Sequence, residues 1–165
     1  MLDDYGPYRF RPIADSDAAF VRRLFHATLR SQMPFEQTGL GADEIDALID
    51  QQLAAQTEHY RSNYPQAETS IVEHPDGPVA RLIIIEFGDE VRLGDLMVVA
   101  GHRKRGLCSY IMDRYVELGL STRRPTRLHV EKTNPAVGLY RRKHFEIVED
   151  LASHWLMEYR PGGAS

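Results

Sequence analysis

The feature that most constrains the fold is a strand that leads through a basic loop directly into a helix, at residues 96–109. The basic loop, residues 101–106, reads Gly-His-Arg-Lys-Arg-Gly, and helical spacing of apolar residues begins at Leu107. The N–H groups at a helix N-terminus have no partner within the helix and lie at the positive end of its dipole. A glycine beside them lets an anion approach the backbone closely. The junction therefore predicts a phosphate or pyrophosphate site, with an exposed basic turn as the alternative interpretation.

The remaining hydrophobic spacing predicts an α+β domain with the order β-α-α-β-β-β-α-β-α-β-β. Residues 8–13 alternate as a strand does, and two amphipathic helices follow before Pro65. From Thr69 the period changes to that of an antiparallel three-strand meander, which ends in the strand before the basic loop. The later elements are predicted as a helix at 105–120, a strand at 127–131, a short helix at 135–143, and strands at 145–148 and 154–159.

Length and composition limit the class of protein. The 165 residues, 42% of them hydrophobic, suit one domain, which we expect at 8–160 between short tails at 1–7 and 161–165. The net charge of −4 provides no basic excess for binding nucleic acid or an anionic membrane. The sequence shows no bilayer-spanning segment and no secretion signal, and Cys108 is the only cysteine. These features predict a cytoplasmic protein that binds neither nucleic acid nor membranes.

The residues around the basic loop resemble motif A of the GNAT superfamily of acyl-CoA-dependent N-acyltransferases, in which Arg/Gln-x-x-Gly-x-Gly/Ala follows the fourth strand. Arg103, Gly106 and Cys108 lie at these pattern positions. Residues 133–145 resemble the family's Asn-x-x-Ala-x-x-Leu-Tyr-x-x-x-Gly-Phe segment. Since the predicted order of elements also matches, the resemblance extends over residues 8–160. It implies a single GNAT-like domain with a mostly antiparallel, splayed central sheet flanked by helices.

The sequence departs from the family pattern in both segments. Ala100 stands where the family usually has Pro, Cys108 where it has a second Gly or Ala, and His144 where it has Gly. Asn134 lies one residue closer to Tyr140 than the family Asn, so either Thr133 stands at the Asn position or the sequence has a one-residue deletion. The change at Cys108 has the largest consequence, because a side chain fits beside a pyrophosphate only where the backbone is right-handed.

The resemblance implies acetyl-CoA, or another acyl-CoA, as the cosubstrate. The strand before the basic loop would pair through its backbone with the pantetheine arm, and the loop with the start of the helix would hold the phosphates. The residues implied in cofactor binding are Leu96, Met97, Val98, Arg103, Lys104, Arg105, Gly106, Leu107, Cys108, Ser109 and Asn134.

Acyl transfer to an amine requires a neutral nucleophile and a proton donor for the departing thiolate. The resemblance places the hydroxyl of Tyr140 near the cofactor sulfur as that donor, whereas a tyrosine that only packs on the sheet is the alternative. His129, on the polar side of an alternating strand, is the first candidate for the base, because an ordinary histidine pKa of about 6.5 suits proton removal at neutral pH. Asp95 and Glu131 are competing candidates, and a surface histidine without a catalytic role is the remaining alternative.

Two other kinds of chemistry are not favoured. Cys108 has the position of an activated thiol at a helix N-terminus, but no His-Asn or His-Asp pattern accompanies it. The seven histidines include no His-x-x-x-His pair, so no metal site is predicted.

The resemblance implies a primary amine of a small molecule or a peptide as the acceptor. Residues 30–40 and the strands near Trp155 would form its walls. Within that segment Met33 and Phe35 offer apolar contacts and Glu36 attracts a cation, although loop aromatic residues equally often pack inside. The acceptor is not identified, and a homodimer is left open. The alternative function is a non-catalytic module of the same fold that binds CoA as a structural or regulatory ligand.

Overall fold

The computed structural model describes residues 2–160, and its helices and strands follow the predicted order. The predicted tail at 161–165 lies outside the described residues. Short 3-10 helices occupy Asp15–Asp17, Phe35–Gln37 and Ala100–His102. The elements are β1 (Arg9–Pro12), α1 (Ala18–Gln32), α2 (Ala42–Asn63), β2 (Ala67–His74), β3 (Gly77–Glu86), β4 (Val91–Val98), α3 (Leu107–Thr122), β5 (Thr126–Glu131), α4 (Val137–Arg142), β6 (Phe145–Leu151) and β7 (His154–Tyr159).

The strands form one seven-stranded sheet in the order β1-β2-β3-β4-β5-β7-β6. Every neighbouring pair is antiparallel except β4 and β5, which are parallel. These two strands pair only from Val91 with Thr126 to Leu93 with Leu128. Beyond that point they diverge, which confirms the mostly antiparallel, splayed sheet.

Helices cover both faces of the sheet, and each face has its own core. On one face α3 and α4 pack over residues that include Leu82, Leu93, Leu128, Val130, Tyr140 and Phe145. On the other face α1 and α2 pack over a second cluster that includes Phe20, Leu24, Phe25, Ile49, Ile71 and Met97. Within residues 2–160, no helix combines the length and apolar composition needed to cross a membrane.

A fully buried tyrosine of α3 joins β4 to β5 where they still pair. The Tyr115 hydroxyl accepts a hydrogen bond from Leu93 N–H at 2.9 Å. It lies 2.8 Å from the carbonyl oxygen of Val91 on β4, and it also contacts the carbonyl oxygen of Arg127 on β5, so its single proton has an acceptor on either strand. This phenol therefore fixes the point from which the two strands diverge.

A β-bulge lies one residue beyond this point. Leu93 pairs with Ile84 and Asp95 pairs with Ile83, so Gly94 has no partner residue on β3. A Cβ at Gly94 would lie 3.0 Å from the Tyr60 hydroxyl oxygen, which itself donates to the Gly94 carbonyl at 2.8 Å. The close approach of α2 thus requires glycine at the bulge.

Candidate active site

The divergence of β4 and β5 leaves an opening between residues 94–98 and 129–131, which we call the β4–β5 opening. On its other side β4 remains paired with β3, through Leu96, Met97 and Val98. Within residues 2–160 no strand pairs with these three residues on the side of the opening. Their main-chain groups are therefore available to an extended, amide-containing ligand, as an added strand would use them.

The basic loop joins the end of β4 to α3 at one end of this opening. Gly106 is the residue before α3 and has a left-handed backbone, with φ of +86°. The first helical bond runs from Tyr110 N–H to Gly106 O, so the N–H groups of residues 107–109 have no acceptor within the helix. Cys108 lies inside α3 and is not among the residues with positive φ, so a cysteine is tolerated there without backbone strain.

The basic side chains of the loop are exposed and differ in their contacts. Arg103 donates from Nε to the Val98 carbonyl at 2.9 Å and so ties the loop to the end of β4. Lys104 has a positive φ of +58°, and the Arg105 guanidinium lies 3.5 Å from Nδ1 of His102. Three basic residues thus directly precede the helix N-terminus. The side chain of Leu107 is buried, so this residue offers only its main-chain N–H to a ligand.

The segment at residues 2–7, expected as a tail, contacts the start of α3. The Tyr5 ring stacks on Tyr110 with 4.3 Å between ring centroids, and the Tyr110 hydroxyl donates to the Asp3 carbonyl at 2.9 Å. The Tyr5 hydroxyl oxygen would lie 3.2 Å from a Cβ added at Gly106, and no other atom outside the immediate chain comes within 4 Å of it. Tyr5 therefore borders the N-terminus of α3 on one side.

Tyr140 extends from α4 into the core beside the opening and is 7% exposed. Burial raises the pKa of its hydroxyl, and the neighbouring Cys108 and Asp95 raise it further. Within residues 2–160 this hydroxyl has no hydrogen-bond partner. It therefore remains protonated at neutral pH and is free to donate to a ligand.

The thiol of Cys108 is close enough to Tyr140 for their charges to interact. Burial raises the pKa of this thiol, more than the positive charge of Arg103 lowers it. A protonated thiol is a poor nucleophile, so the raised pKa of Cys108 gives no support to a role for its thiol as a nucleophile.

Asp95 follows the bulge and faces α2, on the opposite side of the sheet from α3. Its carboxylate pairs at 2.5 Å with the guanidinium of Arg81, which is 4% exposed and also donates to Gln56 of α2 at 2.8 Å. Burial raises the pKa of Asp95, whereas Arg81 lowers it. The carboxylate therefore borders the opening but is held by a buried cation.

His129 is the first residue of β5 beyond the last pair with β4. As the alternation predicts, Leu128 and Val130 are buried while His129 and Glu131 are exposed. Partial burial lowers the pKa of His129, and the charges of Arg92 and His154 lower it further. No hydrogen bond from the described residues occupies its ring, so His129 brings an unpartnered imidazole to the β5 border of the opening.

The other expected residues lie at the margins. The Glu131 carboxylate is exposed and lies 3.8 Å from Nε2 of His154. Asn134 accepts from Ala136 N–H at 2.8 Å, in the turn that begins α4, so its side chain has a local structural contact. Ser109 is half-buried in the first turn of α3.

The segment expected to contact the acceptor divides between core and surface. Phe35 is 5% exposed and packs in the core beneath α1 and α2, so it is a packing residue. Met33 is 45% exposed and Glu36 is also exposed. The charged groups of Lys132 and Arg141 lie 5.9 and 5.6 Å from the centroid of the Trp155 ring.

Sequence reasoning missed three residues that shape the site: Tyr115, Arg81 and Gly94. A glycine inside a strand pattern is a usual signal for a bulge, so Gly94 could have been found. Arg81 lies at the start of the most apolar run of the chain, residues 81–87, and an arginine in such a run indicates a buried acidic partner. Nothing in the sequence identifies Asp95 as that partner.

Comparison with known proteins agrees with this geometry. The sequence profile of the acetyltransferase (GNAT) family matches residues 35–145. The PaiA N-acetyltransferase from Thermoplasma acidophilum, solved with coenzyme A, has a TM-score of 0.70 at 11% identity, over 93% of this chain and 98% of that one. The spermidine N-acetyltransferase from Vibrio cholerae, solved with CoA and spermine, has a TM-score of 0.61 at 16% identity, over 92% and 93%. Ard1 from Thermoplasma volcanium has a TM-score of 0.61 at 18% identity, over 93% and 97%. At these identities the likeness is one of fold, and no curated protein sequence matches significantly.

Proposed function

The chain belongs to the acetyltransferase (GNAT) family, and we propose that it transfers an acyl group, most suitably acetyl, from acyl-CoA directly to a primary amine within a ternary complex. The observation that carries the proposal is the combination at the β4–β5 opening. The unpaired edge of β4 leads to the N-terminus of α3, which follows Gly106. The buried Tyr140, whose hydroxyl has no hydrogen-bond partner among the described residues, lies beside the opening.

The residues present fit acyl-CoA. Main-chain groups of Leu96, Met97 and Val98 would bind the amides of the pantetheine arm, because they lack a strand partner on that side. The N–H groups at the start of α3, with Gly106 in its left-handed conformation, would hold the pyrophosphate. When bound, acyl-CoA supplies the thioester carbonyl and a thiol leaving group.

Tyr140 is the proposed donor to the leaving sulfur. Its raised pKa keeps the proton on the phenol, and its hydroxyl has no competing partner among the described residues. These properties favour a role for Tyr140 as a proton donor over a role in packing alone.

His129 is the proposed base for the amine. Its lowered pKa keeps the imidazole neutral near pH 7, and its exposure gives access to the acceptor or to an intervening water. Asp95 is the competing candidate, but its carboxylate is committed to Arg81. Glu131 is exposed and lies two residues beyond His129, which makes it the third candidate.

The first experiment measures acetyl-CoA binding by calorimetry and then CoA release with a panel of amines. The panel contains spermidine and spermine, because the Vibrio cholerae neighbour is a spermidine N-acetyltransferase solved with spermine, together with lysine-containing and free N-terminal peptides. Absence of CoA binding would overturn the proposal. Binding without release for any amine favours the non-catalytic module.

With a reactive amine, Tyr140→Phe should lower kcat by at least about tenfold while the acetyl-CoA Kd changes less than about twofold, because the ring still packs. Tyr110→Phe is the matched control, since the Tyr110 hydroxyl bonds only the Asp3 carbonyl. Equal kcat in the Tyr140 variant and the parent would remove the donor role.

The pH profile tests the base. For the parent, kcat/KM should rise with pH through an apparent pKa below about 6.5, since His129 is shifted downward from that ordinary value. His129→Ala should abolish this limb and lower the rate by about 10²- to 10⁴-fold, with partial recovery at high pH as the amine deprotonates unaided. A loss below about threefold would transfer the role to Asp95 or Glu131.

A further inference from the structure

Two histidines and a carboxylate converge at the start of the basic loop, on the side of β4 that pairs with β3. His74 is the last residue of β2, Asp76 lies in the turn to β3, and His102 lies in the loop after β4. One ligand atom from each lies within 4.8 Å of those of the other two residues. Within residues 2–160, this is the only group of three such residues with that proximity.

The separations are close to those in a metal site. Nδ1 of His74 lies 3.0 Å from Oδ2 of Asp76, and the two imidazole rings have centroids 4.7 Å apart. Ligand atoms around a tetrahedral zinc ion lie about 3.4 Å apart, given metal–ligand bonds of about 2.0–2.2 Å. Because the Asp76 side chain is 79% exposed in its turn, it is free to reorient toward an ion.

The surroundings of the cluster orient one of its imidazole rings. Nδ1 of His102 lies 3.1 Å from the Tyr8 hydroxyl, a contact that can fix the ring and its tautomer as outer partners of metal-bound histidines do. Arg105 opposes a cation, but its side chain is exposed and free to turn into solvent.

We propose that His74, Asp76 and His102 form a binding site for one divalent transition-metal ion such as Zn²⁺, with a water completing the ligand set. Two imidazoles and a carboxylate match the donors that zinc accepts in three-ligand protein sites. The ion joins the β2–β3 turn to the loop after β4, one residue before Arg103. The site therefore acts as a clip that restrains the basic loop.

This site departs from the sequence prediction that no metal is bound. Its donors come from two segments separated by the whole of β3 and β4, so no local spacing could show it. His102 lies in the basic loop beside Arg103, but none of the three proposed metal ligands has been assigned to cofactor or acceptor.

The test is titration of the full chain, with no histidine tag, by ZnCl₂ in the absence of CoA. We expect one Zn²⁺ per chain with a Kd below about 50 µM, and a rise in Tm that saturates with the same affinity. His74→Ala, His102→Gln and Asp76→Asn should each weaken Zn²⁺ binding by at least about tenfold. The matched control is His59→Gln, because His59 lies on the exposed side of α2, away from the cluster.

Each variant is first compared with the parent by its Tm without metal. Since Asp76 is exposed, Asp76→Asn keeps the test valid even where a histidine variant does not fold. The proposal is overturned if the parent binds no Zn²⁺ below about 50 µM, or if His59→Gln loses as much affinity as the cluster variants. Because CoA is absent from the titration, failure of the acyltransferase assay leaves this result unaffected.

Discussion

Replacing Tyr115 by phenylalanine tests whether its hydroxyl fixes the point at which β4 and β5 diverge. The substitution keeps the ring, which is fully buried and stacks on Phe145 at 6.2 Å between centroids, and so leaves no large cavity. It removes the bond accepted from Leu93 N–H and the bond donated to Val91 or Arg127. The loss is therefore one of hydrogen bonding alone.

The magnitude follows from the burial of the partners. A hydrogen bond contributes about 0.5–1.5 kcal/mol net, whereas a buried donor left unpaired costs about 1–3 kcal/mol. With Leu93 N–H unpaired and one carbonyl bond lost, we expect the free energy of unfolding to fall by about 3 kcal/mol. For a chain of this length that corresponds to a decrease in Tm of about 6–12 °C.

Urea denaturation measures this change, with an unchanged m-value showing that the unfolding reaction is the same. Tyr110→Phe serves as the control, because its hydroxyl bond to the Asp3 carbonyl is exposed, and we expect a loss below about 0.5 kcal/mol. Because the strands diverge immediately beyond Leu93, Tyr115→Phe should also weaken acetyl-CoA binding. A stability loss equal to that of Tyr110→Phe would show that the phenol does not hold the two strands.

Three further predictions concern the basic loop and β1. Gly106→Glu should weaken acetyl-CoA binding by at least about 30-fold in calorimetry, because it places a carboxylate at the proposed phosphate site. The control is Gly88→Glu, because an added Cβ at Gly88 has no atom within 4 Å. Equal affinity of the two variants for acetyl-CoA would contradict the proposed phosphate site. Cys108→Gly should retain turnover, since burial raises the pKa of the thiol, and loss of turnover with binding intact would revive a thiol nucleophile. The Arg11 guanidinium lowers the pKa of Asp17 to about 2, so the stabilisation by this carboxylate is present above its unfolded pKa of about 3.9 and is lost as pH falls toward 2. Asp17→Asn should therefore cost about 1–2 kcal/mol at pH 7 in urea denaturation, and little at pH 2; a cost independent of pH would exclude this ion pair as the cause.

The order of helices and strands was predictable because each element has a clear period and a chemical boundary. The helix α2 ends at Asn63, before Pro65, and the strands β2 to β4 are strand-forming runs separated by turn residues at 74–77 and 88–90. The helix N-terminus after Gly106 was predictable for the same reason, since glycine is the residue that adopts a positive φ without strain.

Contacts between distant segments were not predictable, because they depend on strand register and on the direction of side chains. Tyr115 lies within the predicted helix at 105–120, but its bonds to two strands require the exact position of the helix over the sheet. Likewise, Arg81 and Asp95 meet across β3 and β4, and His74 meets His102 across two strand connections. Spacing within one segment contains no information on such pairs.

The bulge at Gly94 determines which face of the sheet receives the side chains of Asp95 and Leu96. In a regular strand Leu93 and Asp95 would share one face, and Leu96 would lie on the other. Here Leu93 and Leu96 both pack toward α3, whereas Asp95 pairs with Arg81 on the side of α2. One unpaired residue thus reverses the side of every later side chain on β4. Without it, the Asp95 carboxylate would enter the apolar core that holds Tyr140.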